Sequence, residues 1–148
     1  MGSHLMSKQD LIMNFTRPPS ADDLIAVARQ VMDLLPDELI VKIEQLDFLC
    51  EEFPEESIIQ EMELETPYDL LALYRSAQEI APGVVKKIAN GDDVLYLFRR
   101  PILDLWCETN DDLLGLLREI MIEEIARAND FSDDDIKAMI DTHYQGLF

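Results

Sequence analysis

The sequence predicts an α+β domain, and three observations carry that prediction. Apolar residues recur at helical spacing over residues 24–35 and 113–128, near the two ends of the chain. Between them, LDFLCE alternates like a half-buried strand, and VLYLFRR is a run of aromatic and branched residues suited to a sheet. There is no internal repeat or low-complexity segment, so helices mix with about three strands in one layered unit.

The first six residues, MGSHLM, read as the remnant of a cleaved affinity tag and are set aside with His4, which leaves His143 as the native imidazole. After Arg17, Pro18 and Pro19, Ser20 suits a helix N-cap with Asp22 and Asp23 in the first turn. Leu24, Ile25, Val27, Ala28, Val31 and Leu35 form that helix's apolar face. Pro36 interrupts it, and Asp37 and Glu38 open a shorter helix carrying Leu39, Ile40 and Ile43.

In the strand over 46–51, Leu46, Phe48 and Cys50 alternate with Asp47, Leu49 and Glu51, and Phe53 and Pro54 close it. Residues 55–61 suit a short helix. Residues 70–74 suit a strand, although their leucines and alanine fit a helix equally. Pro82, Gly83, Asn90 and Gly91 mark 77–93 as an irregular connection whose middle, GVVKKIA, suits a turn of helix or a strand. VLYLFRR is then a strand, and Pro101 opens a helix through Ile102, Leu105 and Trp106. A helix from 111 to 129 follows, and Ser132 begins the last one. The domain is expected over 17–140, with 141–148 as a tail.

With 148 residues and 48% hydrophobic content, the chain suits one domain with a real core. Thirty-one acidic residues against 12 basic ones give a net charge of -19, which repels nucleic acid and disfavours anionic membranes. No apolar run approaches the ~20 residues that span a bilayer and no signal peptide is evident, so a cytoplasmic monomer is expected. Cys50 and Cys107 lack the CxxC spacing of a zinc or redox site and are expected as buried thiols. Nothing flanking Cys107 and His143 builds a nucleophilic triad.

The helix at 113–128 presents Leu113, Leu116, Leu117, Ile120, Met121, Ile125 and Ala128 to a core, but Glu123, Glu124 and Arg127 break that side near its end. Here the chain resembles the minimal bacterial zincin-like metallopeptidases, small single-domain proteins with an HExxH helix near the C-terminus. The resemblance is carried by RPPSADDL, by LPDEL leading into a strand that ends EEFP, by DLLALYRS, and by VLYLFRRPILDLW before the helix and its SDDDI tail. It runs from Arg17 to Met139, and 77–93 matches poorly. It implies a single zincin-like domain, a small mixed sheet packed against helices that include the HExxH equivalent, with zinc as the family's metal.

On the family pattern HExxHxxGxxD, the first histidine falls on Glu123, the glutamate on Glu124, the second histidine on Arg127, the glycine on Asp130 and the aspartate on Asp133. HExxH works because two imidazoles four residues apart grip zinc from one helix face while the glutamate deprotonates the bound water. The resemblance thus implies a degenerate site: Glu124 is a vestigial equivalent of the base, and no metal is expected at Glu123, Arg127 and Asp133.

Glu123 and Arg127 have the favourable order for a helix ion pair that fills the vacated space, or they are two unrelated surface charges. A weakly held divalent cation is conceivable on Glu123, Glu124, Asp130, Asp133, Asp134 and Asp135, which are hard oxygen ligands. An EF-hand fails, however, with Asp135 at its sixth position and Asp141 at its twelfth, and a Ser132–Asp135 capping box explains the acidic run. Arg99 and Arg100 suggest an anion site at a helix start, or an arginine tied structurally to a carboxylate.

Three functions follow as expectations. The first is a catalytically inactive binding or regulatory module for an unidentified protein or peptide, which accepts an extended segment along the edge of the VLYLFRR strand. The second is a hydrolase that uses another metal than zinc, or no metal, with Glu124 as base and Asp133 as ligand. The third is an acidic decoy that occupies a basic partner surface.

Overall fold

The computed structural model describes residues 17–43, 45–76 and 93–146, with side chains described through residue 141. The connection expected at 77–93 falls, up to residue 92, outside the described residues, as does the tag remnant.

Ser20 caps the first helix, α1 (Ala21–Met32), with a full capping box: its hydroxyl accepts from Asp23 N at 3.1 Å and its own N–H donates to Asp23 Oδ2 at 2.8 Å. The helix ends at Met32, short of the expected Leu35. Pro36 excludes its predecessor from helical dihedrals, and the chain tightens beforehand with Leu34 N donating to Val31 O at 2.7 Å. Leu35 is still buried. Pro36 is the N-cap residue of α2 (Asp37–Ile40).

Strand β1 (Leu46–Glu51), helix α3 (Glu56–Glu61) and a 3₁₀ turn (Pro67–Asp69) lead to β2 (Ala72–Arg75). The expected strand at 70–74 is thus present, displaced toward its C-terminal end. Strand β3 (Asp93–Phe98) lies between the other two, parallel to β1 and antiparallel to β2. This corrects the expectation that VLYLFRR offers a free edge. Val94 to Phe98 are all buried, because both faces of a central strand are covered and a continuous apolar run satisfies both. The strand also stops at Phe98. Arg99 and Arg100 are the first residues of α4 (Arg99–Glu108), so Pro101 lies within the first turn, where its missing N–H costs nothing.

The pleat divides the core in two. Phe48, Ala72, Tyr74, Leu95 and Leu97 face a large cluster with α1, α2 and the next helix, α5 (Leu113–Ala128). Leu73, Val94, Tyr96 and Phe98 form a smaller cluster on the other face, covered by Leu49, Ile58 and Leu70. Tyr96 and Phe98 stack with ring centroids 6.4 Å apart, and Arg29 lies 5.4 Å from the Phe48 ring centre.

Helix α5 is capped by Asp112, whose Oδ1 accepts from Gly115 N at 2.7 Å; a Cβ on Gly115 would stand 2.9 Å from that same oxygen. The helix closes in a Schellman motif. Phe131 N donates to Ala126 O at 3.0 Å and Asp130 N to Arg127 O at 3.1 Å, with Asp130 in the left-handed region at φ 67°. The last helix, α6 (Asp133–Gly146), runs across the 140/141 boundary; Ser132 Oγ accepts from Asp135 N at 3.1 Å before it. No described helix is long and apolar enough to cross a membrane.

An aspartate bears the left-handed conformation at 130 where glycine would bear it without a Cβ penalty. Asp130→Gly is therefore expected to raise unfolding free energy by about 0.5–1 kcal/mol, partly offset by the extra freedom of the unfolded chain. Urea denaturation checks this, and a loss of stability would show that the Asp130 side chain contributes more than its backbone costs.

Candidate functional site

The C-terminal half of α5 carries Glu123, Glu124 and Arg127 beside β2, because ten of the helix's sixteen residues are buried and fix its rotation. Two of the three charged side chains pair on the outer side: Arg127 Nη2 donates to Glu123 Oε2 at 3.0 Å, and both groups are about half exposed. An exposed helix pair of this kind stabilises by only ~0.3–0.5 kcal/mol. Glu124 turns inward. Its Oε2 accepts from Tyr74 N at 3.2 Å, across fifty residues of sequence.

The β2–β3 register explains why that N–H is available. Leu71 lies opposite Phe98 and accepts its N–H at 3.0 Å, which makes Leu73 and Arg75 the next residues to bond β3. Ala72 and Tyr74 therefore direct their backbone groups away from the sheet. Among the described residues no strand lies beyond β2, and the Glu124 carboxylate occupies one of its outward stations. Burial raises the Glu124 pKa above the ordinary carboxylate value, opposed by the Tyr74 N–H bond and by the charge of Arg127.

Neighbouring polar groups hold β2 in place. Tyr74 Oη donates to Asp93 Oδ2, joining the strand to the start of β3. Arg75 Nη2 reaches both oxygens of Glu61 at 2.9 Å.

Of the other singled-out residues, Asp130 sits in the turn after α5, while Asp133, Asp134 and Asp135 are exposed in the first turn of α6. Among the described residues, no three His, Cys, Asp or Glu side chains converge in a way that could hold a metal ion. Arg99 donates from Nε to Pro19 O at 2.7 Å and from Nη1 to Glu52 Oε1 at 2.9 Å, tying the lead into α1 to the end of β1. Arg100 instead lies 5.7 Å from the Phe53 ring centre, and its N–H donates to Glu52 O at 3.1 Å. Both arginines thus meet Glu52, Arg99 at its carboxylate and Arg100 at its backbone carbonyl.

The thiols differ from expectation. Cys107 is exposed on α4, since the helix presents that position away from Pro101 and Ile102, which are buried. Cys50 is half-buried, and burial with nearby Glu52 pushes its pKa up to about 11. The His143 side chain lies outside those described.

Two features escaped the sequence. The bond from Tyr74 N to Glu124 has no local signal, because it joins an edge strand to a helix through tertiary placement alone. Arg118 is 1% exposed on α5, and its charge acts on Glu119, whose pKa burial raises. Its signal was present: Leu114 and Ile122 lie one turn to either side, and both are buried.

A family model described as zincin-like metallopeptidase matches residues 43–142, a span that includes β1, the Tyr74 strand, α5 and the Asp133 turn. A comparison with curated proteins finds no match.

Two expectations follow from this geometry. Because the folded-state pKa of Glu124 is raised, its protonation favours the native state; that contribution is complete below the ordinary value of 4.5 and is lost as pH rises through the folded-state pKa. Glu124→Gln retains an acceptor for Tyr74 N–H without a buried charge. In urea melts from pH 4 to about 8 the variant should gain on the parent as pH rises, and a constant difference would contradict the raised pKa. A thiol reagent at neutral pH should label Cys107 in the folded protein well before Cys50; equal rates would contradict the burial of Cys50.

Proposed function

The chain belongs to the zincin-like metallopeptidase family, and from that premise we propose that it is a non-hydrolytic member serving as a protein-binding or regulatory module. The supporting observation is the Arg127–Glu123 pair on α5. In the family resemblance these positions carry the two imidazoles of HExxH. A guanidinium has no lone pair to offer and stays protonated at any physiological pH, so Arg127 cannot act as a ligand and repels a divalent cation. Zinc in such sites takes nitrogen from imidazole, and the residues on this helix do not supply it.

Glu124 supports the same reading. In the family's chemistry the glutamate draws a proton from metal-activated water. Here its inward Oε2 already accepts the Tyr74 N–H, which ties the carboxylate to the edge of the sheet. The residues present do not fit zinc, and no hydrolytic step is derived from them. Strand addition is not the favoured mode of partner capture either. Beside α5, the outward station at Tyr74 is already bonded to Glu124. The expected setting is a cytoplasmic monomer with a protein partner.

The test rebuilds what the family has. Glu123→His with Arg127→His recreates HExxH on a helix that is otherwise unchanged. The double variant is expected to bind zinc at least about tenfold more tightly than the parent by calorimetry, as two ligands at i and i+4 restore a chelating face. Stoichiometric zinc in the parent, or peptide hydrolysis abolished by a chelator, would overturn the proposal.

A further inference from the structure

A groove of about 540 Å³ lies between α2 and α6, beyond the end of α5. Its apolar lining is Pro36 and Met139, which are buried, the half-buried Phe131, and the exposed Ala138. Met139 is buried and flexible enough to reshape under a bound side chain. Its rim is acidic, formed by Asp37 and Glu38 on one side and Asp135 on the other.

None of these three carboxylates has an ion-pair partner among the described residues. The one lysine on this stretch of α6, Lys137, points to Asp141 at 3.9 Å. Nearby in sequence, Ile40 at the end of α2 is 39% exposed and Val41 just after it 69% exposed. The groove therefore combines an apolar floor with uncompensated negative charge, on a chain of net charge -19.

We propose that this groove is a docking surface for a basic segment of a partner protein, in which an aliphatic or aromatic side chain seats on the Phe131–Met139 floor while flanking arginines or lysines meet Asp37, Glu38 and Asp135. The charge decides among occupants. Nucleic acid and anionic lipid are repelled, and a second copy of this chain would bring another strongly negative surface. A cation-flanked apolar residue satisfies both halves of the groove, as arginine and aromatic anchors do at the centres of protein interfaces. The volume is that of sites able to enclose a few side chains.

The groove and the α5 site are independent, so this surface stands whether or not the chain hydrolyses peptides. The experiment measures fluorescence anisotropy of the full chain with a labelled peptide of two leucines flanked on each side by two arginines. Two controls replace the arginines by glutamate or the leucines by serine. Asp37→Asn, Glu38→Gln and Asp135→Asn together are expected to weaken binding at least about tenfold. Glu55→Gln, Glu56→Gln and Glu65→Gln remove the same charge elsewhere on the surface and are expected to change it no more than about twofold.

Ala138→Arg, at an exposed helix position, puts a cation in the groove and should weaken binding comparably with the first triple. Equal weakening by both triples would reduce the effect to overall charge and overturn the proposal. So would undiminished binding of the serine peptide, failure of the parent to bind, or self-association of the parent that Ala138→Arg abolishes, which would make a second copy the occupant.

Discussion

The burial of α5 is the constraint from which the rest of the architecture follows. This helix touches α1, β2, α6 and α2, and its buried positions extend nearly around its circumference. A helix enclosed so completely has no freedom to rotate, because close-packed side chains accept only one set of facing positions. Its polar residues are confined to where the enclosure opens. Glu123 and Arg127 emerge together at the C-terminal end and pair in solvent, while Glu124, one position around, is directed at the edge of the sheet. The inward placement of a carboxylate is thus a consequence of packing, and its raised pKa a consequence of that placement.

A three-stranded sheet leaves a short outer strand in need of support, since unpaired backbone groups are costly when buried and adhesive when exposed. For β2 that support comes from side chains. The Glu124 carboxylate takes the Tyr74 N–H, the Tyr74 hydroxyl reaches Asp93, and Arg75 clamps Glu61. On the other side of the sheet, Arg99 ties the chain before α1 to the end of β1, and Arg100 covers Phe53. Basic residues are scarce in this chain, and those described near the sheet are used as ties.

The acidic excess is distributed with a physical logic. Part of it starts helices, where Asp22, Asp23, Asp37, Glu38 and Asp133–Asp135 meet the positive ends of helix dipoles. The start of α2 and the first turn of α6 both border the groove over Phe131 and Met139. Charges placed for helix stability therefore also surround an apolar depression, and it is their convergence, not their number, that distinguishes this surface from the rest.

The α+β class and most of the elements were legible in the sequence because they depend on local regularities: helical periodicity, strand alternation, the Ser20 and Ser132 caps, and the run from Val94 to Phe98; the family was legible only through the resemblance carried by stretches such as RPPSADDL, DLLALYRS and VLYLFRRPILDLW. The order of the strands was not legible. A continuous apolar run says that both faces are buried, but only the assembled sheet shows β3 in the centre and β2 at the edge. The spacing of Glu123 and Arg127 made their pairing possible, whereas the partner of Glu124 depended on a strand fifty residues away. The 3.6-residue period already placed Leu114 and Ile122 one turn either side of Arg118, yet burial of that arginine needed helices on several sides at once. Sequence determined which residues share a helix face, since covalent spacing sets that; tertiary packing decided which face meets which neighbour, since that depends on how all the elements close on one core.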